Sequence, residues 1–438
     1  MAILTKEQAQ AILKKALSYS KAEECEVSLQ GSEGGNIRYA RNAVSTAGDI
    51  STMSLGISST FAKKTGTATI NEFDDASLEK VVRRSEELAQ LAPPNPEYVS
   101  LEGPKTFKDA NTYNATTAAV NPDIRAEAVL KSLNVAKEAK LEAAGYLENT
   151  TSFRAIMNSK GLFAYNTDTD VSFSVTTRNQ EGTGSGYAEQ SYNDVSKLDT
   201  LNLTRIASGK ANGSASAKAI EPGKYTVILE PLAVSGMLSF MFNGFDARSA
   251  EEGRNFMSKK GGGTRLNEQL FGENINIYTD PMNAELPGNT WNGDGLPIER
   301  TSWVEKGVVK NLAYSRYWAG QKGVKPLSGS NRAIFEGGTA SLEDLIKSTE
   351  KGILVTRLWY IRMVDPQTVL LTGLTRDGTF YIENGKIAFP VKNFRFNESP
   401  IIMLNNVEAM GKPQRSGNMM VPPMKIRDFT FSSLSDAV

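Results

Sequence analysis

Two stretches near the N-terminus, CEVSLQGSEGGNIRYARN from Cys25 and ISTMSLGISSTFAKKTGTATI from Ile50, alternate polar residues with apolar or small ones. Successive side chains leave a strand on opposite faces, so this period of two fits half-buried antiparallel strands and no helix. Helical segments flank them. Thr5 can cap a first helix with Gln8 closing a capping box, and Ile12, Leu13, Ala16 and Leu17 form its buried stripe. Asp74-Asp75 lead into a second, whose face of Leu78, Val81, Val82, Leu88 and Leu91 stops at Pro93-Pro94. Asn121 caps a third, with Pro122 in its first turn. Its inner face is Ile124, Ala128, Val129 and Leu133, and it continues to about Ala144.

The chain has 438 residues, too many for one ordinary core, so two or three domains are expected. Residues 93–120, rich in Pro, Asn and Thr, read as a linker or a long surface crossing. Asn158 and Gly161 mark a turn between two β-rich runs. The Gly-, Ser- and Asn-rich stretch from Gly182 to Ala219 reads as mobile, and the main boundary falls near Pro222. Beyond it come a strong strand, KYTVILE, and a short helix opening at Pro231 with Leu232, Met237, Leu238 and Met241 as its apolar cover. Many short β-like runs follow, with turns at Lys306-Gly307, Asp377-Gly378 and Asn384-Gly385. One further helix is capped by Ser341, with Asp344 three residues on, and closed by Gly352. The expected fold class is α+β. Residues 1–221 form an N-terminal region of antiparallel sheet and helices with a sub-boundary at 93–120, and residues 222–438 form a mostly antiparallel β domain.

The chain contains no histidine and one cysteine, Cys25. Imidazole is the usual general base near neutral pH and the commonest protein ligand for catalytic zinc. A Ser-His-Asp triad, a Cys-His pair and a His-bound zinc centre are therefore excluded from this chain alone. Any catalysis must draw on carboxylates, Lys, Tyr, Ser or a partner's residues, and a helper subunit is the starting expectation. Lys+Arg and Asp+Glu are equal at 49 each, so no global field draws in nucleic acid or an anionic membrane. No run approaches the ~20 apolar residues of a membrane span. The N-terminus lacks a signal peptide's apolar segment, and Cys25 has no partner for an intrachain disulfide, so a reducing cytoplasm is the expected compartment.

Local candidates for chemistry are few. Gly261-Gly262-Gly263 after Ser258-Lys259-Lys260 could approach a phosphate or peptide backbone, but no GxxxxGK[ST] surrounds it, and a turn is the plainer reading. Ser18/Lys21 and Ser77/Lys80 show Ser-x-x-Lys spacing on amphipathic helices, where capping suffices. The acids Asp294, Glu299 and Glu305, and Asp246, Glu251 and Glu252, match no calcium loop and read as surface charge. Trp291, in the polar PGNTWNGDG, could face a ligand, while the other tryptophans read as core anchors. The stretch 182–219 and the 283–294 loop are candidates to reach a partner or substrate.

Taken together, the segments resemble the TldD/PmbA family over nearly the whole chain. The resemblance rests on GTATINEFDDASLEKVVRRSEELAQLAPPNPEYV in the first half. In the second half it rests on TDPMNAELPGNTWNGDGLPIERTSWVEKGVVKNLAYSRYWAGQKG, EGGTASLEDLIKSTEKGILVTRL and TGLTRDGTFYIENGKIAFPVKNFRF. It implies an N-terminal α+β region, a β-rich C-terminal domain and a cytoplasmic peptidase system. In the TldD branch, a His-Glu-x-x-x-His helix holds a metal and its Glu activates water against a peptide carbonyl. Aligned through Ala233-Val234, the two His positions fall here on Pro231 and Gly236, and the Glu position on Leu232. MGKPQRSGNMMVPP also lacks the cysteine that the metal-bearing branch carries near its end.

The resemblance is thus to the PmbA (TldE) branch. It implies a non-catalytic subunit with no metal or cofactor of its own, a TldD-like partner carrying zinc (or a second copy of itself), and unfolded peptide as substrate. Gly261, Gly262, Gly263, Trp291 and Asp294 are the candidate peptide or partner contacts. Two rivals stay open: an active homodimeric peptidase working through carboxylates, and a protein-binding module with an indirect link to DNA gyrase.

Overall fold

The alternating stretches of the first half build one six-stranded antiparallel sheet in the computed structural model, which describes residues 3–329 and 331–435. In chain order the elements are α1 (Lys6–Ser18), β1 (Glu24–Ala40), β2 (Ala43–Phe61), β3 (Lys64–Ile70), α2 (Asp75–Leu91), α3 (Ala115–Ala118), α4 (Pro122–Glu138), β4 (Glu142–Asn158), β5 (Phe163–Arg178), β6 (Ser185–Tyr192) and α5 (Thr200–Gly213). The strand order is β3-β2-β1-β4-β5-β6. Alternation runs along β1 with one exception, the exposed Glu33, so the other odd-numbered residues from Cys25 to Tyr39 are buried on one face. That face carries the helices. α1 and α2 cover Val27, Leu29, Ile57 and Phe153, while α4 and α5 cover Ile37, Tyr39, Leu147 and Phe173. Thr5 and Gln8 form the expected capping box, and Asp74 and Asn121 cap α2 and α4.

Four expectations change here. Leu91 is 82% exposed, and Ser85, Glu86 and Ala89 turn inward instead. The cause is close approach: a Cβ on Gly66 of β3 would lie 2.2 Å from Ala89 N and Ser85 O, so only small residues fit beneath α2 there. α4 stops at Glu138 rather than near Ala144, with Lys140 left-handed (φ 58°) and residues from Glu142 joining β4. Ile124 is exposed, and α4 buries Arg125 and Ser132 because the sheet beneath offers polar partners. Arg125 Nη1 donates to Asn149 Oδ1 at 2.8 Å, and Ser132 Oγ lies 3.4 Å from Tyr39 OH. The stretch 182–219 is not a mobile segment but strand β6 followed by α5. Its small residues allow that packing, since a Cβ on Gly186 would lie 1.9 Å from Ala207 O.

The second half continues as β7 (Gly223–Leu229), α6 (Pro231–Phe242), α7 (Ala247–Glu251), β8 (Ile277–Thr279), β9 (Thr301–Glu305), β10 (Val308–Val309), α8 (Arg316–Lys322), β11 (Ala333–Phe335) and α9 (Leu342–Lys347). It ends with β12 (Lys351–Asp365), β13 (Leu370–Glu383), β14 (Lys386–Pro390), β15 (Phe394–Glu398), α10 (Pro400–Asn405), β16 (Val407–Met410), β17 (Gln414–Ser416), β18 (Met419–Val421) and β19 (Met424–Leu434). Pairing runs β12-β7-β19-β15-β13 and returns to β12, closing a ring. Only β12–β7 in that ring is parallel. Val227, Leu229, Ile353, Val355, Phe394, Phe396, Phe429 and Phe431 belong to its core, with Ala233, Val234, Met237 and Leu238 of α6 packed among them. A second sheet of short strands, ordered β10-β9-β8-β11-β18-β17, lies alongside. The molecule is α+β, as the patterning predicts.

Two turn assignments are corrected. Asn384-Gly385 does close a hairpin (φ 51° and 73°), but Asp377-Gly378 sits inside β13. Both residues have positive φ (56° and 120°), and the register against β12 slips there between Val355 and Arg357. A bulge needs the same left-handed backbone as a tight turn, so the dipeptide cannot tell them apart. α9 is capped by Ser341 with Asp344, yet it ends at Lys347, and Gly352 lies in β12.

Candidate functional site

Strand β7 delivers the chain into α6 with Glu230 as the cap residue. Glu230 spends its carboxylate elsewhere, on Lys210 Nζ of α5 at 2.6 Å, with both side chains under 20% exposed. Ala233, Val234, Met237, Leu238 and Met241 turn into the core. Leu232, Ser235, Gly236 and Ser239, at helical spacing on the other side, line a cleft of about 550 Å³. Its opposite walls are Tyr187 and Glu189 of β6, Arg357 and Trp359 of β12, and Ser416 of β17. Ser235 Oγ and Ser416 Oγ are 2.8 Å apart. Pro231 and Leu232 also line a smaller recess of about 120 Å³ beside Lys210 and Glu230.

Charge in this cleft is internally matched. Tyr187 OH donates to Glu189, and Arg357 stacks over the Tyr187 ring at 3.9 Å while its Nε pairs with Asp377 at 3.0 Å. Burial, then the Glu189 charge, pushes the Tyr187 phenol well above its ordinary range. Pro231, Leu232 and Gly236 offer no metal donor, and the nearby carboxylates Glu189 and Glu230 are already engaged by Tyr187 and Lys210. Among the described residues, no three His, Cys, Asp or Glu side chains gather where they could hold a metal ion. The residues of this cleft do not fit a catalytic zinc.

A second cavity of about 470 Å³ shares Phe242, Asn243 and Asn331 with the first. Trp291 lines it but does not stand open to it: the residue is 2% exposed and packs on Ile156, Leu162 and Ala164 of the N-terminal sheet. The 283–294 loop thus docks onto the sheet face that carries no helices, where Asn166 Nδ2 also donates to Asn289 Oδ1 at 2.7 Å. Asp294 is exposed, and its charge adds to burial, the larger cause, in raising the pKa of Glu26. Gly261, Gly262 and Gly263 have positive φ (94°, 109° and 83°) at the tip of a surface turn closed by Lys259 N–H to Gly263 O at 3.0 Å, and none lines either cavity. Ser235, Ser239, Tyr187, Arg357 and Arg154 are not among the candidates that the sequence offers. Helical spacing from Leu232 could have indicated the two serines; nothing local marks the rest.

Family models match three successive parts of the chain: PmbA/TldA metallopeptidase domain 1 over residues 25–89, the central domain over 116–214 and the C-terminal domain over 222–433. The chain belongs to the PmbA/TldD metallopeptidase family. Within curated relatives, it is 25% identical over 369 residues to an uncharacterized protein of Methanocaldococcus jannaschii, covering 80% of this chain and 83% of that one. It is 22% identical over 291 residues to a metalloprotease of Methanothermobacter thermautotrophicus, covering 61% of each. Its PmbA/TldD fold is shared with the crystal structure of TldE from Thermococcus kodakarensis (TM-score 0.87, 19% identity, 97% of this chain and 99% of that one). It is shared equally with a proposed modulator of DNA gyrase from Bacteroides thetaiotaomicron (TM-score 0.85, 22% identity, 99% and 100%). No helix of the described residues is long and apolar enough to cross a membrane.

Proposed function

We propose that this chain is the non-catalytic, TldE-like subunit of a cytoplasmic TldD/TldE-type metallopeptidase that processes unfolded peptides. The observation that carries this reading is the cleft face of α6. Positions 231, 232 and 236 keep the helix and its packing, while Pro, Leu and Gly supply neither metal ligand nor base. The chain's part is then to bind and orient. It docks against a TldD-like partner that holds zinc, and its connected cavities form a wall along which extended peptide lies, held mainly by backbone pairing. Zero formal net charge supports a role that involves no direct contact with nucleic acid. The test combines zinc titration with peptidase assays on the chain alone and mixed with a partner containing the His-Glu motif. Activity is expected only in the mixture, with no tight one-to-one zinc site on the lone chain. Turnover by the lone chain, or tight stoichiometric zinc binding to it, overturns the proposal.

A further inference from the structure

Arg154 is a half-buried charged side chain with no ion-pair partner among the described residues. It sits in β4, in register with Gln30 of β1 and Asn166 of β5, on the sheet face away from the helices. Its guanidinium lies over the Trp291 ring at 4.1 Å, and Nη2 donates to Trp291 O at 2.7 Å. Nε is buried and has no hydrogen-bond partner. Among the described residues Arg154 forms no ion pair; the acid whose field it feels, Asp168, is engaged by Ser152 Oγ at 2.8 Å. A partly desolvated guanidinium whose Nε has no partner gains from a carboxylate, and one held flat by stacking is already arranged to receive it.

The position matches that chemistry. Arg154 lines two cavities at once: the 470 Å³ cavity beside Trp291, and a trough of about 350 Å³ across the sheet, edged by Gln30, Ser32, Thr52 and Ser54 and also by the Asp168 carboxylate, so a carboxylate ligand is favoured on the Trp291 side. Arg332 lines the first cavity too, its stem passing so near Gly288 that a Cβ there would lie 2.9 Å from Arg332 Cδ. Asp246 and Asp280 share that lining, each with Oδ1 taken by a backbone N–H, of Ser249 at 2.8 Å and Met282 at 2.9 Å.

We infer that Arg154, with Arg332 in the same cavity, is a recognition site for a peptide carboxylate, which sets the end or the acidic residue of a chain lying in the groove. The inference rests on the peptide-groove reading above. The carboxylate is that of a C-terminus or of an acidic side chain, and the experiment separates the two. The full chain is titrated calorimetrically with N-acetyl-trialanine as the free acid, the same peptide as the C-terminal amide, and N-acetyl-Ala-Glu-Ala amide. A charge-assisted contact of this kind makes the free acid bind about tenfold tighter than the amide. R154Q abolishes that ratio, R154K keeps part of it, and rising salt lowers it in the wild type independently of any variant. If the Glu-containing amide gains equally, the site reads side chains; if it does not, the site reads the terminus. Equal binding of all three peptides overturns the carboxylate site and leaves the groove standing. Binding of none overturns the site as well, whereas the mixed peptidase assay separately decides the subunit role.

Discussion

Glu24 and Glu26 stand two residues apart on β1, on the face away from the helices, and are driven in opposite directions. Burial pushes the Glu24 carboxyl up, but bonds from Lys160 (Nζ at 2.6 Å), Ser100, Tyr98 and Leu101 N–H (2.9 Å) outweigh it and bring it to about 2. Glu26 has no such partners; burial and then the Asp294 charge raise it to about 6, with Arg316 opposing. A lowered carboxyl stabilises the fold above its unfolded value near 4.5 and loses that contribution as pH falls toward 2. A raised one does the reverse: its favourable effect is complete below 4.5 and is lost as pH rises through 6. E24Q should therefore cost on the order of 3 kcal/mol at pH 7, a deficit that closes between pH 4.5 and 2. E26Q should gain roughly 2 kcal/mol at pH 8, a gain absent below pH 4.5. Urea unfolding of both variants from pH 2 to 8 checks the pair. None of this is legible in the chain, where Asp294 reads as one more surface acid; its distant neighbour exists only once the 283–294 loop has docked.

Among the elements, α5 on β6 shows what composition conceals. Gly, Ser and Ala suggest mobility when no partner is in view, yet the same small residues let a helix backbone lie directly on a strand. G186A is expected to destabilise by about 3 kcal/mol or more, because backbone rather than a flexible side chain must move. Thermal melting measures it, with G182A as the unstrained-space control, although its positive φ (68°) carries a small penalty of its own. Strong periodicity was readable: α1, α2 and β1–β3 follow from capping residues and alternation alone. What failed was contact-dependent. Leu91 has the right spacing for burial, but the close approach of Gly66 in β3 turns Ser85 and Ala89 inward instead, and Asp377-Gly378 carries a turn signature that a bulge shares. The cleft on α6 was half legible, since its helix face follows from spacing while Tyr187, Arg357 and Ser416 arrive from three other strands.

For the whole molecule, residues 93–114 carry little regular structure and run from the N-terminal helices past the C-terminal domain. Charged clasps hold the crossing to that domain. Arg316 pairs with Glu102 at 2.8 Å, both side chains largely buried, and Arg248 grips Glu97 with two bonds of 2.7 and 2.8 Å in the open. Shielded pairs matter more than solvated ones. R316A should speed limited proteolysis within 93–114 by about tenfold, while R248A should change it little. Proline and asparagine content indicates such a crossing; which arginines clasp it does not follow from composition.

The closed ring of the C-terminal half has a consequence for biosynthesis. β7 is flanked on one side by β12 and on the other by β19, the final strand of the domain. While the nascent polypeptide emerges, β7 must wait through almost the entire domain with one hydrogen-bonding edge bare. The barrel cannot shut until residues 424–434 have cleared the ribosome exit, so this half stays open through most of its own synthesis, with a strand still unmet.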